Sequence, residues 1–159
     1  MSMRNLICAI SLLGLFLACQ PETIYDVGTL KPQSDGEKTE LKDDLQFMSI
    51  AYRDLFNEEV PPSTLEVMRT AYIGFGDKNL VVDRVVQAML SSPNLVVPSQ
   101  LDMLGDKELF INTTYRKFLL RDPTSFELAY WVSQLTEFPN LTPKDVYYIF
   151  MTSAEYKYY

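Results

Sequence analysis

Any acid–base chemistry in this chain has to come from carboxylates. The sequence contains 21 Asp and Glu residues, 14 Lys and Arg residues, no histidine and two cysteines. Without histidine, Ser-His and Cys-His nucleophile pairs are excluded, and the commonest transition-metal ligand is missing. The adjacent pairs Asp43-Asp44 and Glu58-Glu59 lie in or beside turns, where neighbouring carboxylates point apart. A glycosidase needs two carboxylates that face each other about 5–10 Å apart. We therefore expect no enzymatic activity.

A cation or phosphate site is not indicated either. Asp102, Asp106 and Glu108 form an acidic cluster, but they lack the glycine-containing loop of an EF-hand. Asp106 fits better as a helix cap. The sequence has no glycine-rich phosphate loop and no Gly-x-Ser-x-Gly elbow. We expect neither a metal ion nor a cofactor.

The composition is that of a small globular protein. The 159 residues are 47% hydrophobic and 22% charged, which is enough for one domain or two very small ones. The net charge of -7 and the isoelectric point near 4.6 argue against a nucleic-acid binder, which needs a Lys/Arg surface.

Residues 1–18 have the pattern of an export signal. Arg4 supplies a positive charge, and an uncharged apolar stretch runs from Leu6 to Ala18, too short for a confident transmembrane span. The stretch ends at Phe16-Leu17-Ala18-Cys19, which resembles a bacterial lipoprotein signal with lipidation at Cys19. An ordinary secretory signal that happens to contain a cysteine is the alternative. Cys8 lies inside the signal and would be removed with it, so lipid on Cys19 would leave no free cysteine for a disulfide. The acyl chains would provide the membrane anchor.

Residues 19–42 have the composition of a flexible tether. They contain Pro21, Gly28, Pro32 and Gly36 among charged and hydroxyl residues, with little apolar periodicity. Such a chain spans on the order of 25 Å, which would keep the following domain close to a membrane but clear of it.

The remainder of the chain shows an internal duplication. The first copy is predicted at residues 43–93, a linker at residues 94–106, and the second copy at residues 107–159. The register shift is 63 residues over the first element and 61 over the next two. The matched segments are Phe47…Tyr52-Arg53 with Phe110…Tyr115-Arg116, Pro62–Glu66 with Pro123–Glu127, and Asn79-Leu80 with Asn140-Leu141.

Each copy is predicted to form three helices, so the fold class is all-α with two tandem three-helix units. The first helix is expected at about Asp44 to Phe56 from its apolar stripe. Capping boxes are predicted at Ser63 with Glu66 and at Thr124 with Glu127. Thr142 is a predicted N-cap, with Pro143 at the first helical position. At about 50 residues each, the two units are expected to pack together.

The second copy resembles the bacterial domain of unknown function DUF4214, over roughly Lys107 to Tyr156. The resemblance is carried by Tyr115, by the Arg121-Asp122-Pro123 turn, by Tyr130-Trp131-Val132 and by the closing Ser153-Ala-Glu155-Tyr156 segment. Phycobilisome linker domains share a looser similarity. In the first copy Met68 stands where Trp131 would be, and Glu59 or Val60 stands for Arg121. The resemblance implies a role in assembly or binding at the cell envelope, and it supplies no catalytic residue.

Aromatic residues provide the candidate binding surface. Tyr156, Tyr158 and Tyr159 follow the last predicted helix, so we expect exposed rings that could contact a protein or stack on a sugar. Trp131, Phe126, Val146 and Phe150 are expected in the core at helical spacing. Arg121, together with Pro123, is expected to anchor the turn between the first two helices of the second unit.

These features predict a non-enzymatic, lipid-anchored envelope protein, at the outer membrane rather than the inner one. It would act as a scaffold or accessory subunit of a membrane-associated assembly, with a protein partner and the membrane itself as binding partners. The alternative is a surface lipoprotein that binds carbohydrate through its exposed C-terminal tyrosines.

Overall fold

The computed structural model describes Lys38 and residues 40–158, and this part of the chain is all-helical. The predicted signal peptide, Cys19, most of the tether and Tyr159 lie outside the described residues. The helices are α1 (Asp44–Phe56), α2 (Pro62–Gly74), α3 (Lys78–Leu90), α4 (Gln100–Gly105), α5 (Lys107–Leu119), α6 (Ser125–Glu137), α7 (Pro143–Thr152) and a 3₁₀ helix (Glu155–Lys157). We call α1–α3 the first unit and α5–α7 the second unit.

Side-chain caps define most of the helix starts. Thr124 with Glu127 at α6 and Thr142 with Asp145 at α7 form the reciprocal capping boxes that the sequence predicts, and Asp106 caps α5. Pro143 occupies the first turn of α7, where its missing N–H costs nothing. The second unit is therefore capped at every helix start.

The start of α2 differs from the prediction. Its N-cap is Pro61, which makes no side-chain hydrogen bond, so the capping box predicted for Ser63 and Glu66 is absent. Pro62 has a fixed φ suited to the first helical position, and the helix therefore begins one residue before Ser63. The Glu66 carboxylate instead accepts a hydrogen bond from Arg69 one turn later.

The two units share one hydrophobic core. Contact between the units is most extensive where α3 packs on α7, and there the Tyr148 hydroxyl donates to the Asp83 carboxylate. Fully buried side chains come from both units and from α4: Met48, Leu55, Val86, Met103, Ile111, Leu135, Val146 and Met151.

Two of the four predicted core positions are buried and two are not. Val146 and Phe150 are buried, whereas Trp131 is half-buried and Phe126 is 81% exposed. The buried side of α6 carries Leu135, with Leu128 and Trp131 packed against the core. Phe126 lies nine residues before Leu135, which at 3.6 residues per turn places it on the opposite face. Its predicted burial was wrong.

The segments predicted as tether and linker contain structured residues. Helix α4 lies inside the predicted linker of residues 94–106. At the end of the predicted tether, Leu41 pairs with Tyr158 in an isolated antiparallel bridge, and the Lys42 backbone N–H donates to the Lys157 carbonyl. The end of the predicted tether is thus joined to the last described turn of the domain.

The duplication stays a prediction. The first helices of the two units have 13 residues each and are followed by the left-handed residues Asn57 and Leu120, and the middle helices also have 13 residues each. The third helices differ, with 13 residues in α3 and 10 in α7.

Candidate functional site

The first unit contains an apolar groove. It has a volume of about 640 Å³ and lies between α1, α2 and α3. Its walls include Tyr52, Phe56, Val67, Met68, Phe75 and Val85. Many binding sites in proteins are clefts of this volume that have a mostly apolar lining and a few polar groups.

The groove exists because α2 packs loosely. None of the 13 residues of α2 is buried, although Leu65, Met68 and Tyr72 rest against the core. Val67 and Ile73 are exposed by more than 60%, and Phe75, directly after the helix, is also exposed. A contiguous apolar surface of this kind on a small protein marks an interaction site more often than a scattered exposed side chain does.

The corresponding helix of the second unit is fastened by a tryptophan. Counted from the helix starts, Met68 is the seventh residue of α2 and Trp131 is the seventh residue of α6, so the structure aligns these two helices at a shift of 63 residues and not at the predicted 61. The ring centroid of Trp131 lies 5.2 Å from that of Phe150, so the indole fills the space between α6 and α7. The thinner thioether side chain of Met68 does not fill the equivalent position, and the groove remains open.

An arginine clamp adds a second fastening to α6. Arg121 donates to both carboxylate oxygens of Glu127 at 2.7 and 2.9 Å and to both of Glu155 at 2.7 and 2.8 Å. Paired bidentate contacts of this type are strong and directional. Pro123 lies in the same turn, between α5 and α6. The clamp therefore ties the α5–α6 turn and the first turn of α6 to the 3₁₀ helix.

The clamp also sets the protonation of its members. The Arg121 hydrogen bond is the main cause that lowers the pKa of Glu127 to about 2 and the pKa of Glu155 below its usual value. Glu127 in addition accepts hydrogen bonds from Thr124, so the clamp and the capping box share one carboxylate. The first unit has no such arginine: Glu58 and Glu59 occupy the corresponding turn, and both are exposed.

One charged side chain lines the groove among the residues the structure assigns to it. Arg84, on α3, donates to the Gln87 side-chain oxygen at 3.2 Å. Within the described part of the chain its guanidinium has no carboxylate at ion-pair distance. Thr64 and Ser92 add hydroxyl groups to the lining. The groove is therefore an apolar surface with a positive group beside it.

The C-terminal tyrosines do not form the predicted exposed surface. Tyr156 is fully buried, Tyr158 is 37% exposed, and Tyr159 lies outside the described residues. The Tyr156 ring forms T-shaped pairs with Phe47 and Phe118, at centroid distances of 5.6 and 5.8 Å. The prediction that Tyr156 is exposed was wrong, because the 3₁₀ helix turns the chain back over α1 and α5.

Polar contacts fix Tyr156 in the core. Its hydroxyl donates to the Asp54 carboxylate at 2.8 Å, while its carbonyl accepts from the Lys42 ammonium, which also lies 4.0 Å from the ring centroid. Burial raises the pKa of Asp54 and lowers that of Lys42 to about 8. Tyr156 therefore joins α1, the incoming chain and the C-terminal turn, which is a structural role.

Comparison with known families gives a match to the C-terminal part of the chain, which contains the second unit. Residues 100–158 match the family model described as a domain of unknown function, DUF4214. This part of the chain is a DUF4214-like module. It comprises α4, the second unit and the 3₁₀ helix, whereas the groove lies before it. Neither the curated proteins nor the solved structures compared with the chain contain a match.

Two further properties concern only the residues that the structure describes. Within that part, no group of three or more His, Cys, Asp or Glu side chains could hold a metal ion. No helix found there has the length and apolar character needed to cross a bilayer.

Sequence reasoning missed the groove, although it contained the relevant signal. The first copy has Met68 where the second has Trp131, so its middle helix lacks the bulky ring that packs the middle helix of the second copy against the core. It also missed Asp54 and Lys42, which carry no motif and meet Tyr156 only through the fold. Both Glu155 of the clamp and the buried Tyr156 belong to the closing segment that resembles DUF4214.

Proposed function

We propose that this protein is a non-enzymatic scaffold or accessory subunit that docks a partner protein through the groove of the first unit. The groove is the observation that carries the proposal, because it is an open apolar surface between three helices, with Val67 and Phe75 exposed at its rim. The second unit, with its clamp and caps, would serve as the rigid body on which the groove is mounted.

We further propose that the chain is lipid-anchored through Cys19 in a bacterial cell envelope, at the outer membrane rather than the inner one. The apolar leader and the Ala18-Cys19 junction support this part of the proposal. Anchoring would confine the groove to a thin layer above the lipid and raise its effective concentration near a membrane-bound partner. Incorporation of labelled palmitate, abolished by Cys19→Ser, is the expected result, and equal labelling of that variant would contradict the anchor.

The docking proposal is tested by filling the groove. The variant Met68→Trp places an indole ring in the groove, at the helix position that Trp131 occupies in the second unit. Ala129→Trp is the matched control, because Ala129 is exposed on α6 and lines a separate cleft of about 630 Å³ outside the groove. Both variants and the wild type are recovered from the native envelope in mild detergent, and the associated proteins are quantified by mass spectrometry.

We expect one partner near one-to-one stoichiometry with the wild type and with Ala129→Trp. Met68→Trp should lose most of that partner while it keeps its fold by circular dichroism. Recovery of the protein alone, or equal recovery of the partner by all three forms, would contradict docking through the groove.

The carbohydrate-binding alternative depended on a platform of C-terminal tyrosines. Tyr156 is not available to such a platform because it is fully buried. Of the three rings, Tyr158 alone is partly exposed among those the structure describes. We therefore retain protein docking as the proposed function.

A further inference from the structure

We infer that the groove binds a polypeptide segment that presents a bulky aromatic side chain next to an acidic one. This inference rests on the proposed docking function and adds the chemistry of the occupant. Three observations carry it: the ring that fills the same position in the second unit, the side chains that line the groove, and the charge of Arg84.

The second unit shows what shape suits the position. At the seventh residue of its middle helix, the indole of Trp131 lies against Phe150 of the third helix, with the ring planes inclined by 33°. In the first unit Val85 and Met89 of α3 line the same groove as Met68, and Met89 is buried. An aromatic ring supplied from outside would provide between α2 and α3 the packing that Trp131 provides between α6 and α7.

The lining favours an aromatic ring for a second reason. Tyr52 and Phe56 form a tilted aromatic pair in the lining, with centroids 4.4 Å apart, and the lining also includes Met68 and Met89. Aromatic rings gain additional attraction from both kinds of neighbour, through edge-to-face contacts and through contacts between sulfur and the ring edge.

The charge next to the groove selects an acidic neighbour for the ring. Arg84 uses one N–H group on the neutral Gln87 side chain, and a guanidinium has five N–H donors arranged for a carboxylate. The nearby Asp83 carboxylate is already bonded to Tyr148 and to the Gln87 amide. A carboxylate on the occupant would therefore find donors at Arg84, whereas a lysine there would meet a like charge.

The experiment uses methyl NMR of the full chain, labelled at methionine and placed in lipid nanodiscs. Met68 and Met89 report on the groove, whereas Met103 and Met151 are fully buried elsewhere and serve as internal controls. The probes are three blocked dipeptides: N-acetyl-Asp-Trp-amide, N-acetyl-Lys-Trp-amide and N-acetyl-Asp-Leu-amide. A nearby indole shifts methyl signals through its ring current, so binding is measured from the signals of Met68 and Met89.

With Asp-Trp we expect concentration-dependent shifts at Met68 and Met89 and none at Met103 or Met151. Binding of Lys-Trp and of Asp-Leu should be weaker by about tenfold, which corresponds to about 1.4 kcal/mol each. In Arg84→Gln, the preference for Asp-Trp over Lys-Trp should disappear. In Met68→Trp, the Met89 signal should no longer respond, while Ala129→Trp should respond as the wild type does.

Several results would overturn the inference. Absent shifts, or equal shifts with all three dipeptides, would exclude an aromatic-acidic occupant. Shifts of the Met68 signal that depend on protein concentration alone would indicate a second copy of the chain, and shifts that depend on the nanodisc lipid would indicate an acyl chain. If the partner is still lost in Met68→Trp when the dipeptides fail, docking stands and only the proposed chemistry of the occupant is wrong.

Discussion

Helix α2 of the first unit and helix α6 of the second have the same length and the same place in their units, but they are held in different ways. Helix α6 has a capping box, the Arg121 clamp and Trp131 packed on Phe150. Helix α2 has none of these three and buries no residue. The comparison teaches that the same helix order can give a closely packed middle helix in one unit and an open groove in the other.

The largest expected loss in the free energy of unfolding follows from substitution of Tyr156, the buried residue of the C-terminal 3₁₀ helix. Tyr156→Ala removes a fully buried ring and leaves Asp54 without its hydrogen-bond donor, so we expect a loss of about 4 kcal/mol in the free energy of unfolding. Tyr158→Ala should change it by no more than about 0.5 kcal/mol, since the ring is partly exposed. Urea unfolding followed by circular dichroism measures both, and equal losses would contradict the different roles of the two tyrosines.

The clamp is expected to contribute the next largest effect. Arg121→Gln leaves Glu127 and Glu155 close together without their shared cation, which should cost about 2 kcal/mol. Arg116→Gln is the control, because its pair with Asp122 is more than 60% exposed on both sides and should matter by less than about 0.5 kcal/mol. Thermal and urea unfolding compare the two variants. A clamp variant no less stable than its control would show that α6 does not depend on Arg121.

The clamp should also give the molecule a defined acid sensitivity. The pKa of Glu127 is about 2 in the folded protein, below its usual value of 4.5, and that of Glu155 is also lowered. Their stabilisation is therefore complete above pH 4.5 and is lost as the pH falls towards 2. The raised pKa of Asp54 acts in the opposite direction. The stability difference between wild type and Arg121→Gln should thus shrink on acidification, and a constant difference from pH 7 to 2.5 would contradict the assignment.

The smallest effect separates the two helix starts. Thr124→Ala should destabilise the protein by about 1 kcal/mol, because it removes the side-chain acceptor of the α6 capping box. Ser63→Ala should change the stability by less than about 0.5 kcal/mol, since no side chain caps α2. The midpoints of urea unfolding provide the measurement. If Ser63→Ala lowered the free energy of unfolding as much as Thr124→Ala does, Ser63 would have to cap α2, which would contradict the account.

Local signals in the sequence predict much of the fold. The apolar stripe of α1, the Thr124 and Thr142 caps and the all-α class depend on neighbours within a few residues, and the structure has them. The errors depend on longer-range contacts or on competing local ones. Tyr156 is buried because side chains that are distant in sequence enclose it. Helix α2 starts before Ser63 because Pro62 is well suited to the first helical position. The groove arises because no bulky side chain fills the space between α2 and α3. The periodicity of apolar residues along a helix does not show how the space between two helices is filled.

Site-specific photo-crosslinking in the native envelope tests the central claim most directly. A benzophenone amino acid replaces Val67, which is exposed by 70% at the groove, or Phe126, which is exposed by 81% on α6. If the groove is the docking surface, irradiation gives one discrete adduct with a partner from position 67 and none from position 126. An adduct from position 126 alone, or no adduct from position 67, would contradict the account.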